Sequence, residues 1–451
     1  MPSARRGLRA LLILSALLAS QVLLALAARA SPAEPRFGDS TGVAPAGAFE
    51  AEPESAAALD SPRVALPDQE RGWETVLRTP FRVVFFPLRL LAGGLEVAAG
   101  YLGPRYLEPK PKLPPKQGLS LAPHVSIGTF SDFEIGPAIA WEGFPAAGSR
   151  LRLTGSFSAI DRRRATISEN FGYARRVGLE LRGDYDRKPN RRFYGIGNDT
   201  EESDLSYYRL EKTSADVALR LGATPRGNLR IAGGYSSMSP SRGSHGTPLL
   251  DDVYGPGGAP YGRRSTAVLW YSVAADIATL DDRRDPSRGV HGLADLRRAS
   301  GARSGDPNFD RWRVEGRAYL PVFAKRRVVA VRGVYAGVEP RGATADLPYY
   351  WLTQSEGITR FAGYASQRFR DRQLLLARVE YRWQILHRLS AIGLYEMGAV
   401  APRLEAFSIR EAHRSYGGGL RLGQSDYSSL RLEVAKSDEG LHAFLELGSE
   451  F

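Results

Sequence analysis

The chain has 451 residues, with 61 Lys and Arg against 49 Asp and Glu, a formal net charge of +12, and no cysteine. Without cysteine there can be no disulfide scaffold, thiolate metal site, cysteine nucleophile or lipid-bearing N-terminal cysteine. Forty-eight glycines, 20 tyrosines and 18 phenylalanines beside only three methionines describe a turn-rich, aromatic-rich chain and favour an all-β fold. The basic balance does not point to nucleic acid, because the arginines run along the whole chain and often sit beside acids, as in Asp281-Asp282-Arg283-Arg284-Asp285.

Arg5, Arg6 and Arg9 precede a mostly apolar run from Ala10 to Ala27, which ends in the small residues of Ala28-Arg29-Ala30. This pattern predicts an export signal over 1–30, cleaved before Ser31. An uncleaved anchor is the other reading, and Ser15, Ser20 and Gln21 within the run weaken it. Removing four arginines with no acid lowers the net charge from +12 to +8.

Residues 31–70, rich in Ala, Pro, Glu, Ser and Asp, bury too little to order themselves and read as a disordered periplasmic linker. The composition changes at Trp73. Arg71, Arg78, Arg82, Arg89 and Glu96 share one helical stripe, while Val76, Leu77, Phe81, Val84, Phe85, Leu88, Leu91 and Leu95 cover the rest. Arg82 and Arg89 keep every apolar run short of the roughly 18 residues a spanning helix needs. The segment 71–117 is therefore expected to be amphipathic and helical, segmented at Pro80 and Pro87, lying on the membrane or plugging a lumen.

From Gly118 the period becomes two. Leu375, Ala377, Val379, Tyr381, Trp383 and Ile385 alternate with Leu376, Arg378, Glu380, Arg382 and Gln384, and Leu269, Tyr271, Val273, Ala275 and Ile277 alternate with Ser272, Ala274 and Asp276. Arg and Glu on the polar face, in segments of about ten residues or more, suit strands that cross a bilayer with the apolar face outward. Sixteen candidates begin near Leu119, Phe133, Arg150, Ala165, Val177, Asp204, Asn228, Ser265, Gly289, Asp310, Arg327, Gln373, Ser390, Arg414, Tyr427 and Gly440. The expected fold is all-β, a 16-stranded antiparallel transmembrane barrel over 118–451.

If the first strand rises from the periplasm, odd-to-even connections are extracellular. The gaps Lys188–Ser203, Ser239–Arg264, Glu339–Arg372 and Ala401–His413 are long, whereas even-to-odd gaps such as His387-Arg388-Leu389 are short.

At these loops the sequence resembles a family. Phe193-Tyr194-Gly195-Ile196-Gly197-Asn198-Asp199-Thr200, Arg284-Asp285-Pro286 before Gly289, and Arg368-Phe369-Arg370-Asp371-Arg372 ahead of Glu380-Tyr381-Arg382 are similar to the BamA/TamA family of outer-membrane barrels, the bacterial surface antigen group. The resemblance implies a sixth extracellular loop folded into the lumen, a role in inserting or translocating proteins, and no cofactor. Partners implied are the lipid bilayer of the bacterial outer membrane and the barrel-assembly machinery that reads the terminal Phe451; the shortage of periplasmic domains favours a reduced or changed transport role, or a separate periplasmic protein bound by Trp73 to Gly103. In loop six, the family's Arg-Gly-Phe/Tyr is here Ala362-Gly363-Tyr364, and its strand-thirteen acid is Glu396 in Leu394-Tyr395-Glu396-Met397-Gly398. Arg360 or Arg368 is expected to replace the missing arginine, and Arg360, Arg368, Arg370 and Arg372 to find Glu396 and Glu380 as partners. Only about 87 residues lie between the expected signal and the barrel, too few for the chain of periplasmic domains most members carry.

No enzyme signature stands out. Gly234-Tyr235-Ser236-Ser237-Met238 lacks the second glycine of a nucleophile elbow, and His124 with Ser126 is a bare His–Ser pair on one strand face. Asp281, Asp282 and Asp285 suggest a metal less than a salt-bridged turn, given Arg283 and Arg284 between them. A structural or passively conducting barrel remains the alternative to an assembly factor.

Overall fold

The computed structural model describes residues 118–447, apart from 128–132, 159–160, 173–175, 225, 245, 256–263, 284, 323, 343–346, 357–358, 387–388 and 423–429. The expected signal, linker and amphipathic segment, and Phe451, lie outside the described residues.

Alternating side chains and frequent turn residues produce sixteen strands in one antiparallel sheet, each paired with its neighbours in sequence. They are β1 (Gly118–Ile127), β2 (Phe133–Glu142), β3 (Ser149–Phe157), β4 (Arg163–Phe171), β5 (Val177–Phe193), β6 (Ser206–Thr224), β7 (Gly227–Arg242), β8 (Thr266–Ala278), β9 (Gly289–Gly301), β10 (Phe309–Val322), β11 (Ala324–Pro340), β12 (Gln373–Leu386), β13 (Leu389–Ala401), β14 (His413–Leu422), β15 (Leu430–Ser437) and β16 (Gly440–Leu447). Every strand starts within three residues of its expected position. The sheet curls until β1 and β16 come within 8 Å between Cα atoms, with no ladder joining them among the described residues.

The two faces divide as the alternation requires. On β8, Leu269 and Tyr271 are 58% and 59% exposed, while Ser272 is buried; on β12, Val379 and Tyr381 face out and Glu380 is fully enclosed. An apolar exterior around a polar interior is the arrangement a bilayer selects, because lipid-facing charges are costly.

Strand β5 continues to Phe193, past the expected end at Lys188. Pro189 cannot donate to a ladder, and the β5–β6 register shifts between Lys188 and Arg191, so a bulge absorbs the proline and pairing resumes beyond it.

Candidate functional site

The connection between β11 and β12, loop six, does not stay at the surface. A two-residue ladder pairs Thr353 with Asp371 and Gln354 with Arg370, folding the loop back on itself. Its aromatic residues then pack against the barrel wall in two clusters. Tyr349, Tyr350 and Trp351 pack with Phe193, Tyr208, Trp270 and Phe309 of the β5–β10 wall. Phe361, Tyr364 and Phe369 pack with Val334, Leu374, Leu376 and Val400, and Phe369 stacks on His413 at 3.9 Å. Burial of side chains this large is worth about 1.5–3 kcal/mol each, enough to hold a long loop in place.

The loop's tip meets β13. The Ala362 N–H donates to Glu396 Oε2, so at the position where the family carries an arginine side chain the acid is met by a backbone amide. A guanidinium also stands by, Arg378 of β12, whose Nη1 lies 3.9 Å from Glu396 Oε1. Gly363 follows with φ +78°, a left-handed conformation, and a Cβ there would sit 2.9 Å from Ser415 Cβ. Its carbonyl accepts from Ser437 Oγ at 2.6 Å. Gly398 has no room for a side chain either, since a Cβ would stand 2.4 Å from Phe361 Cζ.

The expected pairing of the four loop-six arginines with Glu396 and Glu380 is corrected by this geometry. Arg360 reaches Glu433 at 3.6 Å and lies over the Phe444 ring at 4.0 Å. Arg368 pairs with Glu439 at 2.5 Å and donates to Thr200 Oγ1 at 2.6 Å. Among the described residues Arg370 pairs with no carboxylate. It is enclosed by Phe193, Tyr208 and Tyr349 and donates to Gln354 Oε1 at 2.8 Å and the Arg192 carbonyl at 3.3 Å. Arg372 stands 3.8 Å from Glu339 at the loop's base. Asp371 caps its own neighbour, accepting from Arg372 N–H at 2.6 Å. The reason is reach: the fold-back places these arginines at different heights, and Glu380 is already surrounded by Arg378, Arg382 and Arg431 from the wall.

Sequence reasoning missed four partners, Asp438, Glu439, Glu433 and Glu356. Tyr364 O–H donates to Asp438 Oδ1 at 2.5 Å, and with Arg368–Glu439 this ties loop six to the β15–β16 turn. Burial, with Asp438 alongside, pushes the Tyr364 phenol well above its ordinary range and keeps it a donor. Glu433 on β15 bridges Arg360, Arg378 and Arg431, and only the alternation of acids and arginines on one face signalled it. Glu356 accepts from Arg191 at 2.5 Å and pairs with Lys188 at 3.3 Å.

Of the other quoted motifs, the Phe193–Thr200 segment meets the same loop, and among the described residues the Asp281–Asp285 segment does not. Gly197 N–H donates to the Arg370 carbonyl at 2.9 Å, and Asn198 accepts from Val400 N–H at 3.1 Å. Asp285, in the β8–β9 turn, crosses to Arg421 of β14 at 2.6 Å. Asp281 accepts the N–H groups of Asp282, Ser287 and Arg288, and Arg283 turns to Asp276 at 2.9 Å. Of the His124–Ser126 pair, the Ser126 side chain lies outside the described residues.

A barrel of sixteen strands with an inward-folded sixth loop narrows the choice, and a sequence comparison decides it. The Omp85 superfamily domain matches residues 147–438, well over half of the chain. The chain belongs to the Omp85 superfamily. Among solved structures, the Omp85 barrel is similar in fold to BamA from Haemophilus ducreyi lacking POTRA domains 1-3, with 15% identity, a TM-score of 0.57 and 78% of each chain covered. CdiB from Acinetobacter baumannii is more distant, at 12% identity and a TM-score of 0.45 over 74% of this chain and 60% of that one. No curated protein matches. As an Omp85 barrel, the protein resides in the bacterial outer membrane.

Two tests of the site follow from its geometry. Gly398→Ala forces Phe361 aside, and overpacking of this kind costs about 1–3 kcal/mol. Lower thermal stability in detergent is expected, partly restored by Phe361→Leu. Glu356 supplies the second. Burial opposes its ionisation, but Arg191 and Lys188 outweigh that and hold its carboxyl well below the usual carboxylate range. A depressed folded-state pKa means the pairing stabilises above the unfolded-state value and is lost as pH falls below it. The stability gap between wild type and Glu356→Gln should therefore be constant above about pH 5 and shrink progressively below about pH 4.

Proposed function

We propose that this barrel inserts or translocates polypeptides at the outer membrane, with loop six as a catch on the β13–β16 side of the wall. The observation that carries the reading is the seat of the loop-six tip: the Ala362 amide on Glu396, Tyr364 on Asp438 and Arg368 on Glu439. These contacts bind one removable element to the strands that end at the β1–β16 junction, where no ladder forms among the described residues, and polar contacts can be exchanged more readily than a continuous ladder. The two aromatic clusters that occupy the interior support this over a passively conducting pore. The role is non-enzymatic and needs no cofactor.

The same reading places 1–30 as export signal, 31–70 as linker, 71–117 at the periplasmic membrane surface or barrel mouth, and a separate periplasmic protein as the partner of Trp73–Gly103. Phe451 would present the C-terminal signal to the assembly machinery.

The chain has no native cysteine, so a tether can be introduced cleanly. Ala362 and Ala435 are both fully enclosed in one apolar cluster with Leu394. Oxidised Ala362→Cys/Ala435→Cys should fail to restore the outer-membrane protein profile of a deletion strain, and reduction should restore it. Full activity of the oxidised form would show that loop six need not move, and an unaltered profile in the deletion strain would remove the assembly role itself.

A further inference from the structure

Beside loop six, the interior holds a cavity of about 440 Å³ walled by residues of β5, β6, β7, β9, β10 and β11 and by Tyr350, Leu352 and Gln354 of the loop. Lys188, Arg191, Lys212, Arg297, Arg311 and Arg313 line it, against the carboxylates of Asp186, Asp295 and Glu356. Two of these acids are engaged. Glu356 is taken by Arg191 and Lys188, and Asp186 lies 3.7 Å from Lys188 and 3.8 Å from Arg164. Asp295 is left to face Lys212, Arg297, Arg311 and Arg313, and its Oδ1 is buried without a hydrogen-bond partner.

Elsewhere on the inner wall, cations sit directly on acids: Arg182 on Asp184, Arg230 on Asp216, Arg317 and Arg332 on Glu315, Arg382 on Glu380. On the side of the cavity formed by β6, β9 and β10 that pairing stops. Among the described residues Lys212 and Arg313 form no ion pair, and the Nε atoms of Arg311 and Arg313 are buried without an acceptor. Arg297 is instead braced on the Trp270 ring, 3.9 Å from its centroid, and Arg311 donates to the Trp351 carbonyl. Both guanidinium groups are thus positioned by neutral partners, and at the cavity they share the single carboxylate of Asp295 with Lys212 and Arg313.

We propose that this cavity is a binding site for a phosphate-bearing anion. Guanidinium forks match the geometry of phosphate oxygens, and a multivalent oxyanion answers several cations at once where a single carboxylate answers one. The volume is that of a small-ligand site, not of a polypeptide passage. The phosphate belongs either to a free compound or to a lipid headgroup. This site is separate from the loop-six catch and does not depend on the insertion role.

The test is calorimetric titration of the purified full chain in non-ionic detergent, with inorganic pyrophosphate in one arm and dihexanoyl phosphatidic acid in the other. One saturable site is expected, weakening as sodium chloride is raised. Lys212→Gln/Arg313→Gln should raise Kd at least tenfold while Arg242→Gln, on an exposed side chain of the extracellular rim, leaves it unchanged. Neither cavity residue forms an ion pair among the described residues, so the double variant should melt no lower than wild type, which separates lost binding from lost fold. If it does melt lower, the single Lys212→Gln variant should still raise Kd severalfold. Saturation by pyrophosphate identifies a free phosphate compound, and saturation by the lipid alone identifies a headgroup. Binding of neither probe, or binding the variants leave intact, overturns the proposal.

Discussion

Replacing Glu380 with Ala should lower the unfolding free energy of the barrel by about 3–5 kcal/mol, the range for removing one partner from a buried ionic cluster. Glu380 is fully enclosed and is the acid on which Arg378, Arg382 and Arg431 converge. Its loss leaves Arg378 and Arg431 sharing Glu433 and takes from Arg382 the carboxylate it meets at 2.6 Å, with Glu396 3.9 Å from Arg378. The measurement is the midpoint of denaturant unfolding in detergent micelles. Glu380→Met/Arg382→Met should recover part of the loss, because a matched apolar pair avoids stranding a charge. A midpoint unchanged by Glu380→Ala would mean that water screens this part of the wall.

Glu396→Ala should act on loop six more than on the barrel. It strips the acceptor from the buried Ala362 N–H, a cost of about 1–3 kcal/mol, while Arg378 keeps Glu380 and Glu433. The expected result is higher single-channel conductance and faster protease cleavage at Arg368–Arg372, with a charge change in the Ser239–Arg264 loop affecting neither. Glu396→Gln retains a carbonyl acceptor and should keep most of the closure. Wild-type behaviour of Glu396→Ala in both assays would detach loop six from β13.

The strand plan was readable from the residues because alternation is local: each strand shows its apolar side to lipid and its Arg and Glu side to the interior, and each long gap falls on one end of the barrel. Glu380, Glu396, Gly363 and Gly398 were also legible, carried by their place in motifs whose order the fold preserves. What tertiary structure alone decided is which groups meet. Ala362 offers an amide where an arginine was expected; Arg368 and Tyr364 find Glu439 and Asp438; Arg370 finds the neutral oxygens of Gln354 and the Arg192 carbonyl; Arg191 and Lys188 find Glu356. The physical reason is that strand pairing follows from neighbours in sequence, whereas the partner of a loop residue depends on how deep the loop descends before its aromatic side chains lodge in the wall. No local pattern encodes that depth.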